Sequence, residues 1–136
     1  MKSRVIAFAL FSAFLMQGAL AEDQCIVLGF HEPHTQIYDG PTWCRGVYIK
    51  NIVVHGPFRA MRSTFTGTAT VSGPMRSDDS IFDSVTENSA TAEKIKLCHN
   101  SKIKGNADFQ GPAGEVIVSV TSSVDGKVIN GKLIHR

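Results

Sequence analysis

The chain has 136 residues, of which 43% are hydrophobic, and a formal net charge of +2 at pH 7. Its basic residues include Lys2 and Arg4 near the N-terminus, and the part after Ala21 is formally neutral because its remaining basic and acidic residues are equal in number. This balance excludes nucleic-acid binding driven by overall charge, and we expect no nucleic-acid partner. The length corresponds to one domain.

Residues 1–21 predict a secretory signal peptide. A short positive region containing Lys2 and Arg4 precedes an apolar stretch from Val5 to Met16, and small residues end at Ala21. The stretch of about 12 apolar residues is shorter than the roughly 20 needed to cross a bilayer, which argues against the alternative of a membrane anchor. We expect cleavage after Ala21, a periplasmic or secreted location, and no stable membrane insertion afterwards.

Residues 22–46 predict an irregular N-terminal cap segment, because glycine and proline interrupt the segment repeatedly. Cys25 and Cys44 flank its turn-rich part, and in an oxidising compartment we expect them to form a disulfide. The alternative is a metal site that adds His31 and His34. The Cys-x5-His-x2-His-x9-Cys spacing is not a standard zinc pattern, so we expect no metal or other cofactor.

Residues 47–136 contain an internal repeat. The segment 65–74, FTGTATVSGP, returns as IKGNADFQGP at 103–112, with small or apolar residues at every second position. Gly-Pro begins at positions 40, 56, 73 and 111. The first two intervals are nearly equal and the third is about twice as long, which indicates a degenerate copy near residue 90. Repeats with this alternation are typical of stacked β-units.

We therefore predict an all-β fold, a short parallel β-helix (solenoid) of about five coils at residues 47–136, with a disulfide-pinned N-terminal cap. Coils of this kind stack at about 4.8 Å, and Gly-Pro suits one of their corners. The alternative is an antiparallel β-sandwich, whose strands also alternate and end in Gly/Pro turns. The side chains expected to point inward are Phe65, Val71, Ile103, Phe109 and Val128.

Charge patterning gives a second indication of this stacking. When successive units are laid over one another, two opposite-charge pairs and one like-charge pair fall at equivalent positions of neighbouring coils. The pairs are Arg62 with Asp79, Lys104 with Asp125, and Arg59 with Arg76.

Residues 94–133 resemble the bactofilin-type polymer-forming β-helix proteins. The resemblance lies in apolar-x-Gly-x-apolar units, as in 103–107 and 124–128, whereas the Gly-Pro coils at 54–74 resemble small secreted bacterial β-solenoids more generally. The resemblance implies a right-handed β-helix that can stack end to end.

The charged residues also suggest an interaction surface. A stretch from 45 to 76 has no acidic residue, 78–93 holds five acids and no base, and lysines follow from 94 to 104. Such bands could bind an acidic glycan or envelope surface, or could hold coils together. The acids at 78–83 could hold calcium or act in catalysis, or form a solvated corner. The candidate residues are Arg59, Arg62, Arg76, Asp78, Asp79 and Asp83.

No catalytic residue is expected. Cys98 and His99 are adjacent, and neighbours on a strand point to opposite faces, which argues against a nucleophile–base pair. Cys98 is expected to be either a buried thiol or an intermolecular link. No nucleophile elbow, phosphate-binding loop or metalloprotease motif occurs.

These features together predict an exported, non-catalytic structural or interaction module that associates with itself or with an envelope or surface partner. The alternatives are a polysaccharide-binding or polysaccharide-cleaving β-helix and a secreted host-interaction factor. Only residues 132–136 are left to cover the last coil, so we expect an open strand edge and dimers joined at this end. The alternative is that Lys132 and Arg136 keep the chain monomeric.

Overall fold

A computed structural model describes residues 25–31 and 34–136, so the predicted signal peptide at 1–21 lies outside the described residues. The regular structure of this part is entirely β, which confirms the predicted fold class. Among the described residues, no helix is long and apolar enough to cross a membrane. The strands are β1 (Cys25–Val27), β2 (Phe30–His31), β3 (Ile37–Asp39), β4 (Thr42–Arg45), β5 (Tyr48–Ile49), β6 (Ile52–His55), β7 (Phe58–Met61), β8 (Thr64–Val71), β9 (Met75–Asp78), β10 (Ile81–Glu87), β11 (Lys94–Cys98), β12 (Lys102–Ile103), β13 (Ala107–Phe109), β14 (Gly114–Val118), β15 (Ser123–Val124), β16 (Val128–Ile129) and β17 (Gly131–His135).

The strands form two sheets on opposite sides of a solenoid. Sheet A follows the order β1-β4-β7-β9-β11-β14-β17, and sheet B holds the other ten strands. Pairing is parallel in both sheets except where β1 meets β4 and β2 meets β3. The described residues contain six stacked coils, because β3 and β4 already pair in parallel with β6 and β7. The predicted parallel solenoid is confirmed, with about one coil more than expected, and the antiparallel sandwich is excluded.

The Gly-Pro corner forms a continuous column. A Cβ atom added to Gly73 would lie 2.7 Å from the carbonyl carbon of Gly56, so only glycine permits this close backbone approach. The expected degenerate copy near residue 90 is present, since a Cβ atom added to Gly111 would collide with the carbonyl oxygen of Ser89. The corner therefore continues where the Gly-Pro sequence itself is missing.

Serine side chains satisfy the backbone at a second corner. The N–H of Ser63 donates to Ser80 Oγ at 3.0 Å, the N–H of Ser80 to Ser101 Oγ at 3.3 Å, and the N–H of Ser101 to Ser122 Oγ at 3.0 Å. Ser63 Oγ in turn accepts from the N–H of Val47 at 3.2 Å. We call these four serines the serine ladder. It matters because a buried N–H without a partner destabilises the fold.

The core is a row of inward side chains between the two sheets. Phe65 and Phe82 stack with ring centroids 4.8 Å apart, and Phe58 meets both rings edge-on. Of the side chains predicted to point inward, four are buried and one, Val128, is half-buried. The alternation in the sequence therefore predicted the inner face correctly. The four buried side chains are Phe65, Val71, Ile103 and Phe109.

The N-terminal cap is held by a disulfide. Strand β1 lies antiparallel on β4 with Cys25 opposite Cys44, and these two residues are bonded, as predicted. In the loop-entropy model, a loop of this length contributes about 3 kcal/mol to stability. An intramolecular disulfide also indicates an oxidising, extracytoplasmic environment.

Candidate functional site

Asp78 is the centre of a charged cluster on the outer face of sheet A. Its Oδ2 accepts from Arg59 Nη2 at 3.3 Å and from Arg76 Nε at 3.1 Å, and its Oδ1 lies 2.8 Å from His99 Nδ1. Burial alone would raise the pKa of Asp78, but the hydrogen bonds from Arg76 and His99 and the two arginine charges lower it below its usual value. Asp78 therefore remains ionised and holds the two arginines side by side.

The predicted register between coils is confirmed for Arg59 and Arg76, which lie opposite each other on β7 and β9. Their repulsion is offset because both contact the same carboxylate, that of Asp78. The shared carboxylate was not expected from the sequence, because it lies two positions further along the strand than Arg76.

The two predicted attractive pairs do not form as expected. Arg62 and Asp79 occupy equivalent left-handed corner positions, with φ of 47° and 53°, but no ion pair joins them in the described part of the chain. Asp125 contacts Lys102 Nζ at 3.7 Å rather than Lys104. The sequence spacing between coils predicts which backbone positions lie opposite each other. It does not predict the ion pairs, because long side chains reach diagonally to other partners.

The carboxylates at 78–83 do not converge on one site. Asp78 lies on the outer face of sheet A, Asp79 at the left-handed corner, and Asp83 on β10 of sheet B. Within residues 25–31 and 34–136, no group of three or more His, Cys, Asp or Glu side chains is placed to hold a metal ion. These acids therefore belong to three different surfaces.

The two cysteines and His31 of the cap are engaged in separate contacts. Cys25 and Cys44 are joined to each other. His31 stacks on Tyr38 at 4.3 Å, and its Nε2 lies 2.7 Å from the Thr35 carbonyl oxygen. The disulfide uses both cysteines of the alternative Cys/His metal site, and His31 is engaged in contacts within the cap.

Cys98 and His99 lie at the end of β11. Strand β11 ends at Cys98, and His99 follows in a left-handed conformation with φ of 52°. The rule that neighbouring side chains of a strand point to opposite faces therefore does not apply to His99. Its Nδ1 lies within hydrogen-bond distance of Asp78 Oδ1. Cys98 is a half-buried free thiol opposite Asp78 in the parallel register.

A groove runs along the outer face of sheet A beside the Gly-Pro corner. Its central line consists of Trp43, Arg59, Arg76 and Lys96, one residue on each of four successive strands. The groove encloses about 480 Å³, and Glu93 and Lys94 form part of its edge. We call it the basic groove. One wall is the proline row of the corner, Pro41, Pro57 and Pro74.

Only half of this line was predicted from the sequence. Arg59 and Arg76 were among the candidate residues, whereas Trp43 and Lys96 were not. The sequence spacing could have identified the other two residues, because each residue of the line follows the previous one by the length of one coil. The predicted boundary at 46 had assigned Trp43 to the cap, although its strand belongs to the parallel ladder.

Glu87 occupies a core position. It lies in register with Val71 on one side and Phe109 on the other, and only 1% of its surface is exposed. Neither carboxylate oxygen has a hydrogen-bond partner among the described residues. Burial raises the pKa of Glu87 to about 8, and the nearby charge of Glu93 adds to this effect.

The C-terminal coil leaves part of the core open. Val124 and Val128 are half-buried, and Leu133 is 39% exposed. The outer edge of β17 has no strand partner within the described residues. Each of these three side chains stacks on a residue of the preceding coil that is fully buried. These buried residues are Ile103, Ala107 and Val116, in the same order.

These surfaces offer paired charges, an exposed indole and an open strand edge, which are features used in binding. No family model, curated protein or solved structure matches this chain. The function therefore has to follow from the geometry of the surfaces themselves.

Proposed function

We propose that the protein is an exported, non-catalytic structural module that associates with itself through its C-terminal coil. The observation that carries this proposal is the contrast between the half-exposed apolar side chains of the last coil and their buried counterparts one coil earlier. An unpaired strand edge beside an open apolar core favours pairing with another chain.

The two ends of the solenoid differ in what covers their outermost coil, although β1 and β2 are themselves edge strands within the described residues. At the N-terminal end, the antiparallel strands β1 and β2 and the disulfide cover the first coil. Two chains that meet through the same C-terminal face form an isologous contact with two-fold symmetry, and their edge strands then run antiparallel. Filaments would additionally require the N-terminal cap to move aside.

Location and fold resemblance support the proposal. The disulfide indicates an oxidising compartment, and the signal peptide expected at 1–21 would direct the chain to the periplasm or the outside of the cell. End-to-end stacking is also what the resemblance to bactofilin-type proteins implies. The partner is then a second copy of the chain at the cell envelope, with another envelope component as the alternative.

Light scattering of the purified protein at several concentrations tests this proposal. We expect a mass that rises towards that of a dimer as the concentration reaches the high micromolar range. Leu133→Glu places a charge at the open end and should give monomers. Val120→Glu is the matched control, because Val120 is 92% exposed in a turn and its replacement should leave the dimer intact.

Two results would contradict self-association through the last coil. One is a wild-type protein that stays strictly monomeric at high micromolar concentration. The other is a dimer that Leu133→Glu and Val120→Glu affect equally, because association would then use another surface.

A further inference from the structure

We infer that the basic groove binds a linear acidic polysaccharide, with one acidic sugar ring against each coil. The inference goes beyond self-association and does not depend on it. The groove lies on the lateral face of the solenoid, so chains joined at their ends would keep it open. Three properties of the groove support the inference: its charge, its spacing and its apolar walls.

The groove is positively charged on a domain that is formally neutral. Four cationic side chains line it, and two carboxylates, Asp78 and Glu93, offset half of that charge. Asp78 contacts both arginines but leaves them 42% and 44% exposed, so guanidinium N–H groups remain available to a ligand. The four cationic residues are Arg59, Arg76, Lys94 and Lys96.

Lys96 is the least constrained of these cations. It lies opposite Arg76 on the next coil and makes no ion pair with any residue of the described chain. The groove therefore combines two arginines that are fixed by Asp78 with a lysine that is free to adjust. A ligand with several anionic groups in a row could contact all three of these cationic side chains.

The spacing of the line favours a polysaccharide over other polyanions. Successive positions are separated by the rise of one coil, about 4.8 Å, which is close to the length of one pyranose ring in an extended chain. An extended acidic peptide advances only ~3.4 Å along its axis for each residue. Duplex DNA carries a phosphate of each strand every ~3.4 Å along the helix axis. A polyuronate chain, with one carboxylate on every ring, advances along its axis by nearly this distance for each charge.

Trp43 gives the groove an apolar contact at one end of this line. It lies opposite Arg59 in register, and 40% of its surface is exposed. An exposed indole with a proline wall beside it can pack on the C–H face of a sugar ring. Neither a nucleic-acid backbone nor a polyglutamate chain presents such a face together with regularly spaced carboxylates.

Binding measurements with polygalacturonate at about 0.15 M salt test the inference, because salt screens weak surface attraction at this concentration. We expect saturable binding, with affinity that increases with oligomer length up to about four rings, one for each position of the line. Dextran, which is neutral, should not bind.

Charge-matched variants locate the site. Arg59→Gln with Arg76→Gln should weaken binding at least tenfold, whereas Lys50→Gln with Lys104→Gln, outside the groove, should change it less than twofold. Both double variants remove two positive charges. Lys96→Gln alone should weaken binding severalfold. Because Lys96 makes no ion pair with the described residues, this variant tests the site even if the arginine double variant fails to fold.

Several outcomes would overturn the inference. They are the absence of polygalacturonate binding by the wild-type protein, equal losses in the groove and control variants, and no effect of Lys96→Gln. Equal or tighter binding of duplex DNA, polyglutamate or anionic lipid vesicles would also overturn it, since the site would then respond to charge without regard to sugar spacing.

Discussion

Glu87→Gln is expected to remove the loss of stability that ionisation of Glu87 causes in this protein between about pH 5 and pH 8. The carboxyl of Glu87 lies in the core between Val71 and Phe109, and neither oxygen has a hydrogen-bond partner among the described residues. The charged form is therefore disfavoured in the folded state, and the pKa of Glu87 is raised to about 8. Glutamine has nearly the same shape and stays neutral.

The magnitude follows from the difference in proton binding between the folded and unfolded chain. Unfolded Glu87 titrates near its ordinary pKa of 4.5, and folded Glu87 near 8, so the folded chain holds more protons between these values. Its contribution to stability is complete below pH 4.5 and is lost as pH rises through 8. The loss is about 1.4 kcal/mol per pH unit and on the order of 5 kcal/mol in total. The lowered pKa of Asp78 acts in the opposite sense, but only at more acidic pH.

Urea unfolding with the disulfide intact, repeated from about pH 5 to about pH 9, measures this effect. The wild type and Glu87→Gln should have similar free energies of unfolding near pH 5 and diverge by several kcal/mol near pH 9. Glu115→Gln is the control, because Glu115 lies half-buried on the outer face of β14, and it should keep the wild-type dependence. A wild type whose stability is constant or rises across this range would refute the reasoning, as would a Glu87→Gln variant with the wild-type slope.

Two further substitutions test the core and the serine ladder. Phe109→Ala should lower the free energy of unfolding by about 3–5 kcal/mol, because the ring is 3% exposed, and a loss below about 1 kcal/mol would show that the inner face is misassigned. Ser80→Ala should cost about 1–3 kcal/mol, since it leaves the buried N–H of Ser63 without its acceptor. Ser123→Ala, which removes an exposed hydroxyl contact, should cost less than about 0.5 kcal/mol, and equal losses at the two serines would contradict a special role for the ladder.

The fold was largely predictable because each coil repeats the same physical requirements. Gly56 and Gly73 stack so closely that a side chain does not fit, and Phe65 and Ile103 fill equivalent inner positions. The same residue types therefore recur at regular intervals in the sequence. The number of coils was harder to predict from the sequence. The first coil lies in a segment whose glycines and prolines suggested irregular structure.

The candidate site was less predictable, because it depends on where side chains end and not on where the backbone lies. Arg59 and Arg76 were placed correctly on neighbouring coils, but their common partner Asp78 was expected to belong to an acidic cluster. Glu87 was missed for a different reason. It fills an apolar position of the repeat in the unit that had lost its Gly-Pro, so the sequence pattern offered no marker for it.

The changing length of the coils has a consequence for how such a protein can evolve. Neighbouring strands keep their register although the coil that leads from Thr42 to Phe58 is shorter than the coil that leads from Val85 to Ala107. Extra residues are absorbed at the corners, and each coil depends mainly on its immediate neighbours. Duplication or deletion of one coil in the middle would leave both ends unchanged while it lengthened or shortened the line of outward side chains by one place. Gene duplication can therefore change the number of outward positions in the line without changing the two ends of the solenoid.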